Sequence, residues 1–477
     1  MTTAVQPIRR ALARVPFAPT LVTLFMLSVA LFPTWTVDDA YITLRYARNL
    51  VEHGALTWNI SDPPVEGYTG ILWPLLAAGA MWAHLDPLLV LKGVSWASAG
   101  AMLYLADDIL TTLHADQGQR RIALLLLVVS PWAIHTGSGL ETMLFTALIL
   151  ASVLAWLRRS PHLHVILLLT ALTRPEGVAV AAVLLGVGLW SRRQDGADLV
   201  DFAGRSALFF MLPSAAYFAW RWTYYGMPLP NTFYAKSGSG VSSWPHVIVF
   251  LSSGVLLSAM AWWQSSPDGR LLRPVRVLAL SLAVLIGLLL LFYGRSELLM
   301  DYGMRFFMPL LPLFIIALAA SWGKMGLTLL LAAHLSICAS TYVGNAIWAS
   351  NYNQMNASEH IPAAAWLADH AQPHDTLMVI VDAGIIPYTT DLRTIDVGAL
   401  NDPYLARERD PVARLNYLFN QKPEWVLLAN GNLGIVAAEA TRTALLVDPR
   451  WRSGYELAAE FHGPQSFEYH QQVWRRK

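Results

Sequence analysis

The chain has 477 residues, 55% of them hydrophobic and 14% charged, with a formal net charge of +1. Soluble domains carry about a quarter charged residues, so this deficit, with a mean hydropathy of +0.43, excludes an ordinary soluble domain and points to a polytopic membrane protein. Near-neutral charge offers no field for nucleic acid, and the single cysteine, Cys338, excludes an internal disulfide.

Arg9, Arg10 and Arg14 precede an apolar run from about Phe17 to Trp35. No small-residue cleavage site follows and further apolar runs do, so this reads as an uncleaved first span with its arginines in the cytoplasm. The stretch Val37 to Leu50 then emerges on the outer face. A helix starting at Asp39 puts Ala40, Leu44, Ala47 and Val51 on one side and Tyr41, Arg45, Arg48 and Glu52 on the other. It reads as an amphipathic helix lying on the membrane, with Asp38 and Asp39 at its positive end. A turn at Ser61 to Pro64 leads to Val65-Glu66-Gly67-Tyr68-Thr69 and completes a first outer loop over 36–70.

Further apolar segments run over about 70–83, 88–113, 121–136, 140–157, 163–173, 177–190, 204–224, 245–264, 275–293, 306–321 and 325–347. Arg120/Arg121, Arg158/Arg159, Arg192/Arg193, Arg270/Arg273/Arg276 and Lys324 mark cytoplasmic loops. From an outward first loop that alternation works if the short 70–83 segment does not cross. About eleven crossings follow, in a transmembrane region 1–347 with an outward C-terminus. Gly137 to Glu141, Arg174 to Gly177, Pro228 to Lys236 and Tyr293 to Arg305 then share the outer side with the first loop. Over 348–477 the composition changes to a small extracytoplasmic α/β domain. Its expected elements are a helix at Ile361 to Ala371, strands at Thr376 to Val381, Arg393 to Val397 and Glu424 to Leu428, and a helix at Val436 to Leu446.

The outer breaks hold the candidate chemistry. Asp38 and Asp39 fit a general base, a metal ligand or a helix cap, and a cap needs only one acid. Arg45 and Arg48, on the exposed face of their helix, suit a phosphate, whether of a substrate or of a lipid headgroup. Arg174 and Glu176 flank a helix-breaking proline at membrane depth, where charges pair or line an aqueous cavity. Glu141 opens a helix, which makes a cap its simplest role. Lys236 and Arg305 are isolated outer cations that either snorkel or, with Arg45, surround a lipid phosphate. His53, His84, His135 and His360 have no metal-ligand spacing. No Gly-rich phosphate loop, paired-cysteine zinc motif or nucleophile elbow is present, which argues against a nucleotide-sugar or ATP enzyme.

Asp38-Asp39-Ala40-Tyr41-Ile42 with Arg45 to Leu50, then Val65 to Thr69, resembles the first outer loop of a bacterial family of GT-C glycosyltransferases. Among its members are the mycobacterial terminal β-arabinofuranosyltransferases. Gly139 to Thr142, Thr173 to Gly177, Pro230 to Lys236, Asp382 to Tyr388 and Asp396 to Asp402 resemble that family's later motifs, in order. The acid-rich loop is more distantly similar to those of protein O-mannosyltransferases and the lipid A aminoarabinose transferase. The resemblance implies a mainly α membrane GT-C fold and a polyprenyl-phosphate sugar donor, with arabinofuranose favoured, used in an inverting transfer at the outer face of the bacterial cytoplasmic membrane. In that scheme Asp38 deprotonates the acceptor hydroxyl, and Asp39 orients it or shares a divalent cation with Asp38. Arg45, Lys236, Arg305 and Arg174 hold the donor phosphate. Tyr41, Glu66, Tyr68, Glu141, Glu176, Asn231, Asp382, Asn401 and Asp402 form the substrate pocket. The acceptor is a cell-envelope glycan, a glycolipid or a protein. A secondary transporter is the main alternative, since transporters also break helices and place charges at the midplane. A non-catalytic envelope or motility factor on the same scaffold is the third reading.

Overall fold

The computed structural model describes residues 17–30, 32, 35–196, 198–236, 242–251, 273–298, 300–321, 324–431, 435–463 and 469–477. Arg9, Arg10, Arg14, Arg270, the 237–240 loop and most of the 245–264 segment lie outside them. The described chain is mainly helical with one small sheet.

The helical part contains α1 (Phe17–Ala30), α2 (Asp39–His53), α3 (Leu72–Trp82), α4 (Pro87–Thr112), α5 (Gln117–Val129), α6 (Ile134–Gly137), α7 (Thr142–Leu157), α8 (Leu163–Thr173) and α9 (Glu176–Asp195). After these come α10 (Leu199–Ser206), α11 (Leu212–Tyr225), α12 (Asn231–Lys236), α13 (Trp244–Phe250), α14 (Arg273–Gly294), α15 (Leu311–Ser321) and α16 (Lys324–Met355). Local chemistry sets several ends. Asp86 accepts from the Leu89 amide and is followed by Pro87, which starts α4. Asp116 and Gln119 form a reciprocal capping box at the start of α5. Pro175 keeps Arg174 extended, at φ −150°, and so separates α8 from α9.

Helix α4 and residues Arg276–Gly294 of α14 are long and apolar enough to cross a membrane; α3, α7, α8 and parts of α1 and α15 are shorter apolar helices. The 11 residues of α3 rise only ~16 Å, about half of a hydrocarbon core, and α8 and α15 have the same length. Two arginines expected on the cytoplasmic side meet partners near one end of α4, Arg120 with Asp107 and Arg158 with Asp108.

Helix α16 runs across residue 347 and passes through a π-turn, Asn356–His360, into α17 (Ile361–His370). Then come β1 (Thr376–Ile380), α18 (Ile385–Thr390), β2 (Arg393–Asp396), α19 (Pro411–Asn420), β3 (Trp425–Asn430), α20 (Val436–Val447), α21 (Pro449–Gly454), β4 (Tyr455–His462) and β5 (His470–Arg476). The sheet order is β2-β1-β3-β5-β4. Strands β1, β2 and β3 are parallel, while β5 runs antiparallel to both β3 and β4. The apolar runs of β1 and β3 made them legible. Strand β4 is mostly exposed and mixes charge with small residues, so the β4–β5 hairpin has no comparable signal.

The membrane-surface reading of α2 needs correction. Leu44 and Ala47 pack on Trp73, Ala77 and Leu91, as the apolar side should. The opposite side is covered over most of its length, with Arg45 2% exposed and α2 packed against α18, and only Glu52 near its end stays exposed. Ile42, Tyr46, Trp58 and Tyr68 share one core with Leu367, Leu377, Ile386 and Leu427, so first loop and α/β unit fold on each other.

Candidate active site

Beneath the first loop lies a cavity of about 370 Å³ whose charged lining is Asp39, Glu141, Arg174, Glu176, Lys236 and Arg305. Each comes from the end or break of an element. Asp39 opens α2, Glu141 precedes α7, Arg174 and Glu176 bracket the proline break, and Lys236 ends α12. Arg305 follows a tight turn in which Gly303 takes φ 54°. The first loop reaches the Arg174 break because Gly70 has no side chain; a Cβ there would lie 2.0 Å from the Thr173 carbonyl oxygen.

The charges fall into two groups. In the first, Arg174 is 3.0 Å from Glu176 and 3.6 Å from Glu141, and Tyr293 donates its hydroxyl proton to Glu176 at 2.9 Å. Arg174 is thereby matched by two carboxylates, as a cation buried at that depth must be. In the second, Arg305 is 3.9 Å from Asp39, and both Arg305 and Lys236 lie over the Phe306 ring, at 4.8 and 5.5 Å. Two cations face one acid here, whereas one cation faces two acids in the first group, so the six charges of the lining balance. Burial, and then the neighbouring Arg305, pull the Lys236 ammonium down to about 8. An anion placed between Lys236 and Arg305 would relieve both effects.

Of the residues singled out from sequence, Asp39, Tyr68, Glu141, Arg174, Glu176, Lys236 and Arg305 meet at this cavity; the others do not. Asp38 is 5% exposed and turned toward the α/β unit, where its carboxylate accepts from the Gly384 and Ile385 amides at 2.7 Å each. It makes no cap bond to its own helix, and instead caps α18 from a distant part of the chain. Around it is a buried cluster. His360 Nε2 lies 3.3 Å from Asp382, which accepts from Tyr469 at 2.6 Å and from Gln471. Burial pushes the Asp38 carboxyl up, and His360 partly offsets this. Burial alone would lower His360, but the Asp382, Asp38 and Glu359 carboxylates together raise it to about 9.

Arg45 leaves the candidate phosphate group. Its guanidinium donates to the carbonyl oxygens of Trp58, Pro387 and Leu392 and to Asn59 Oδ1, which ties α2 to the α/β unit. Arg48 is likewise taken up by Tyr388 and Asp391. Tyr41 packs against Tyr388, and Glu66 forms a buried 2.6 Å pair with Arg221. Asn231 donates to the carbonyls of Ala399 and Leu400 at 2.9 Å and of Asp402 at 3.3 Å. This grip holds Leu400, which lines the cavity. Asn401 donates to Asp396, and Asp402 accepts from the Tyr404 and Leu405 amides. Those three motif residues shape the wall without facing the cavity.

Tyr293 and Phe306 belong to the site and were not singled out, although both sit within or beside the outer break from Tyr293 to Arg305. Among the described residues no three His, Cys, Asp or Glu side chains are grouped to hold a metal. Asp38 spends both oxygens on backbone amides while Asp39 faces the cavity, so the two do not fit a shared divalent cation.

Residues 346–474 match a family model described as a domain of unknown function, DUF8728. Over 246 residues, 46% of this chain, the sequence is 29% identical to a terminal β-(1→2)-arabinofuranosyltransferase of Mycobacterium tuberculosis; the match spans 37% of that protein's length. The fold is similar to ArnT from Cupriavidus metallidurans bound to undecaprenyl phosphate, with a TM-score of 0.54 and 14% identity over 96% of this chain and 97% of that one. Apo ArnT gives the same TM-score at 13% identity and equal coverage. The chain thus shares the fold of ArnT and, over 46% of its length, resembles a terminal arabinofuranosyltransferase in sequence.

Proposed function

We propose that this protein is an integral-membrane, inverting glycosyltransferase. It moves a sugar, arabinofuranose being favoured, from a polyprenyl phosphate to a hydroxyl of a cell-envelope glycan, glycolipid or protein. The membrane is the bacterial cytoplasmic membrane, crossed about eleven times, with the cavity and the α/β domain facing outward. One observation carries the reading: two cations, Lys236 and Arg305, meet the acid Asp39 in a cavity under the first outer loop.

Lys236 and Arg305 bind the donor phosphate. As the bond between the anomeric carbon and the phosphate oxygen breaks, negative charge grows on the leaving polyprenyl phosphate, and these cations stabilise it. Asp39 takes the proton of the acceptor hydroxyl, whose oxygen attacks the anomeric carbon from the opposite face. Asp39 is preferred over Asp38 because Asp39 lines the cavity, whereas Asp38 is buried with its carboxylate held on the Gly384 and Ile385 amides. Glu141, Glu176, Arg174 and Tyr293 supply hydrogen-bond partners for sugar hydroxyls. Phe233 and Phe292, stacked at 6.3 Å and 38% and 45% exposed, offer an apolar exit for the prenyl chain.

The test is incubation of the purified protein with a polyprenyl-phosphate pentose and a glycan acceptor, following both polyprenyl phosphate release and sugar incorporation. Wild type should give both products and Asp39→Asn neither. Sugar flux into vesicles without polyprenyl phosphate release would instead establish a transporter, and neither flux nor turnover a non-catalytic factor.

A further inference from the structure

A second hollow, of about 560 Å³, opens between α1, α4 and α5. It lies near Asp107, ~30 Å along α4 from the Pro87 end, where Lys92 donates to the Trp35 carbonyl on the first-loop side. The body of the hollow is apolar, formed by Leu21, Val22, Leu103 and Tyr104; Val22 is 59% and Tyr104 69% exposed. Its end is polar, with Gln117, Arg120 and Arg121. The nearby acids are already engaged, Asp107 by Arg120, Asp108 by Arg158 and Asp116 by the Gly118 and Gln119 amides that it caps. Arg121 has no carboxylate within ion-pair distance among the described residues, and its guanidinium rests 5.2 Å from the centre of the Phe17 ring. The sugar-transfer reading uses none of these groups.

We propose that this groove binds one anionic phospholipid, with its phosphate at Arg121 and Gln117 and an acyl chain along Val22, Leu103 and Tyr104. Charge complementarity selects the occupant. A cation with no carboxylate partner among the described residues, at the end of an apolar groove between membrane helices, favours a headgroup with net negative charge, as basic pockets between such helices do generally. A zwitterionic lipid satisfies the apolar wall but carries no net charge, and a free phosphate ion leaves the wall bare. The site requires that these helices lie in a membrane and is independent of which reaction the distant cavity performs.

The full chain, purified in neutral detergent and stripped of lipid, can be titrated with phosphatidylglycerol or with phosphatidylcholine of identical chains. Native mass spectrometry and the thermal midpoint are read in each arm, with inorganic phosphate as a third arm. Phosphatidylglycerol should be retained at one per chain, raise the midpoint, and lose its advantage in 0.5 M salt, where ~4 Å screening applies. Arg121→Gln should weaken its binding about fivefold, the value of one basic side chain near a lipid surface, and leave phosphatidylcholine unchanged; Arg121→Lys should preserve the preference. Four results would overturn the proposal: equal retention of the two lipids, salt-insensitive preference, full stabilisation by inorganic phosphate alone, or a two-chain species without lipid.

Discussion

Asp38 and Asp39 are adjacent in sequence and separated in environment. Asp39 lines the cavity beside Arg305, so Asp39→Asn should lower kcat by ~10²–10⁴-fold, the range for loss of a positioned base, with an unchanged thermal midpoint. Asp38→Asn keeps the shape but cannot accept equally well from both the Gly384 and Ile385 amides. It should cost about 1–3 kcal/mol of stability while the folded fraction stays active; calorimetry and turnover per folded molecule distinguish the two. If Asp38→Asn is fully stable but inactive, the roles are reversed. Lys236 supplies a pH test. Its ammonium is pulled down to about 8 by burial and Arg305, so in the free enzyme it loses its proton as pH rises through that value. Donor kcat/KM should therefore fall above pH ~8 as the phosphate-binding charge disappears. Lys236→Arg should move the fall to higher pH, and Lys236→Ala should weaken donor use at every pH.

The clamp between α2 and the α/β unit explains why a helix with two arginines on one side is not a free phosphate-binding surface. The spacing of Arg45 and Arg48 was readable; their partners at Pro387, Leu392, Tyr388 and Asp391 lie some 340 residues away, where no local pattern points. Arg45→Ala would strand several buried carbonyl acceptors. It should cost about 3 kcal/mol or more and open the 385–392 region to limited proteolysis, without raising donor KM in the protein that remains folded. The π-turn at Asn356–His360 is the other half of the clamp, setting His360 against Asp382 and within electrostatic reach of Asp38. Its imidazole is raised from 6.5 to about 9, meaning that the folded state binds the proton more tightly than the unfolded one. That contribution to stability is complete below pH ~6.5 and is lost as pH rises toward 9. The thermal midpoint should decline across that window, and His360→Gln should flatten the decline while lowering the plateau.

For the whole molecule, the proposed topology has the first loop and the α/β domain outside and the Arg120 and Arg158 region inside. With Cys338 replaced by Ser, a cysteine at Ser61 or Ser453 should react with an impermeant maleimide in spheroplasts, whereas one at Gln119 should react only after the membrane is opened. Labelling of Gln119 from outside would reverse the orientation. Composition and the outer breaks already pointed to a polytopic membrane protein, because apolar runs, proline breaks and helix caps are local free-energy preferences written into neighbouring residues, and the ordered motifs carried the resemblance to the GT-C glycosyltransferases. The buried strands β1 and β3 were legible for the same reason, and the outer cations Lys236 and Arg305 stood out because isolated charges beside apolar spans need a partner or a ligand. Only the tertiary structure decided which motif residues face the cavity. Asp38, Arg45, Asn231 and Asn401 carry side chains suited to either catalysis or scaffolding, and which role each takes depends on backbone groups brought to it from hundreds of residues away. The packing of the α/β unit over the first loop turned Asp38 inward and left Asp39 on the cavity wall, a choice that two identical neighbouring side chains could not encode by themselves.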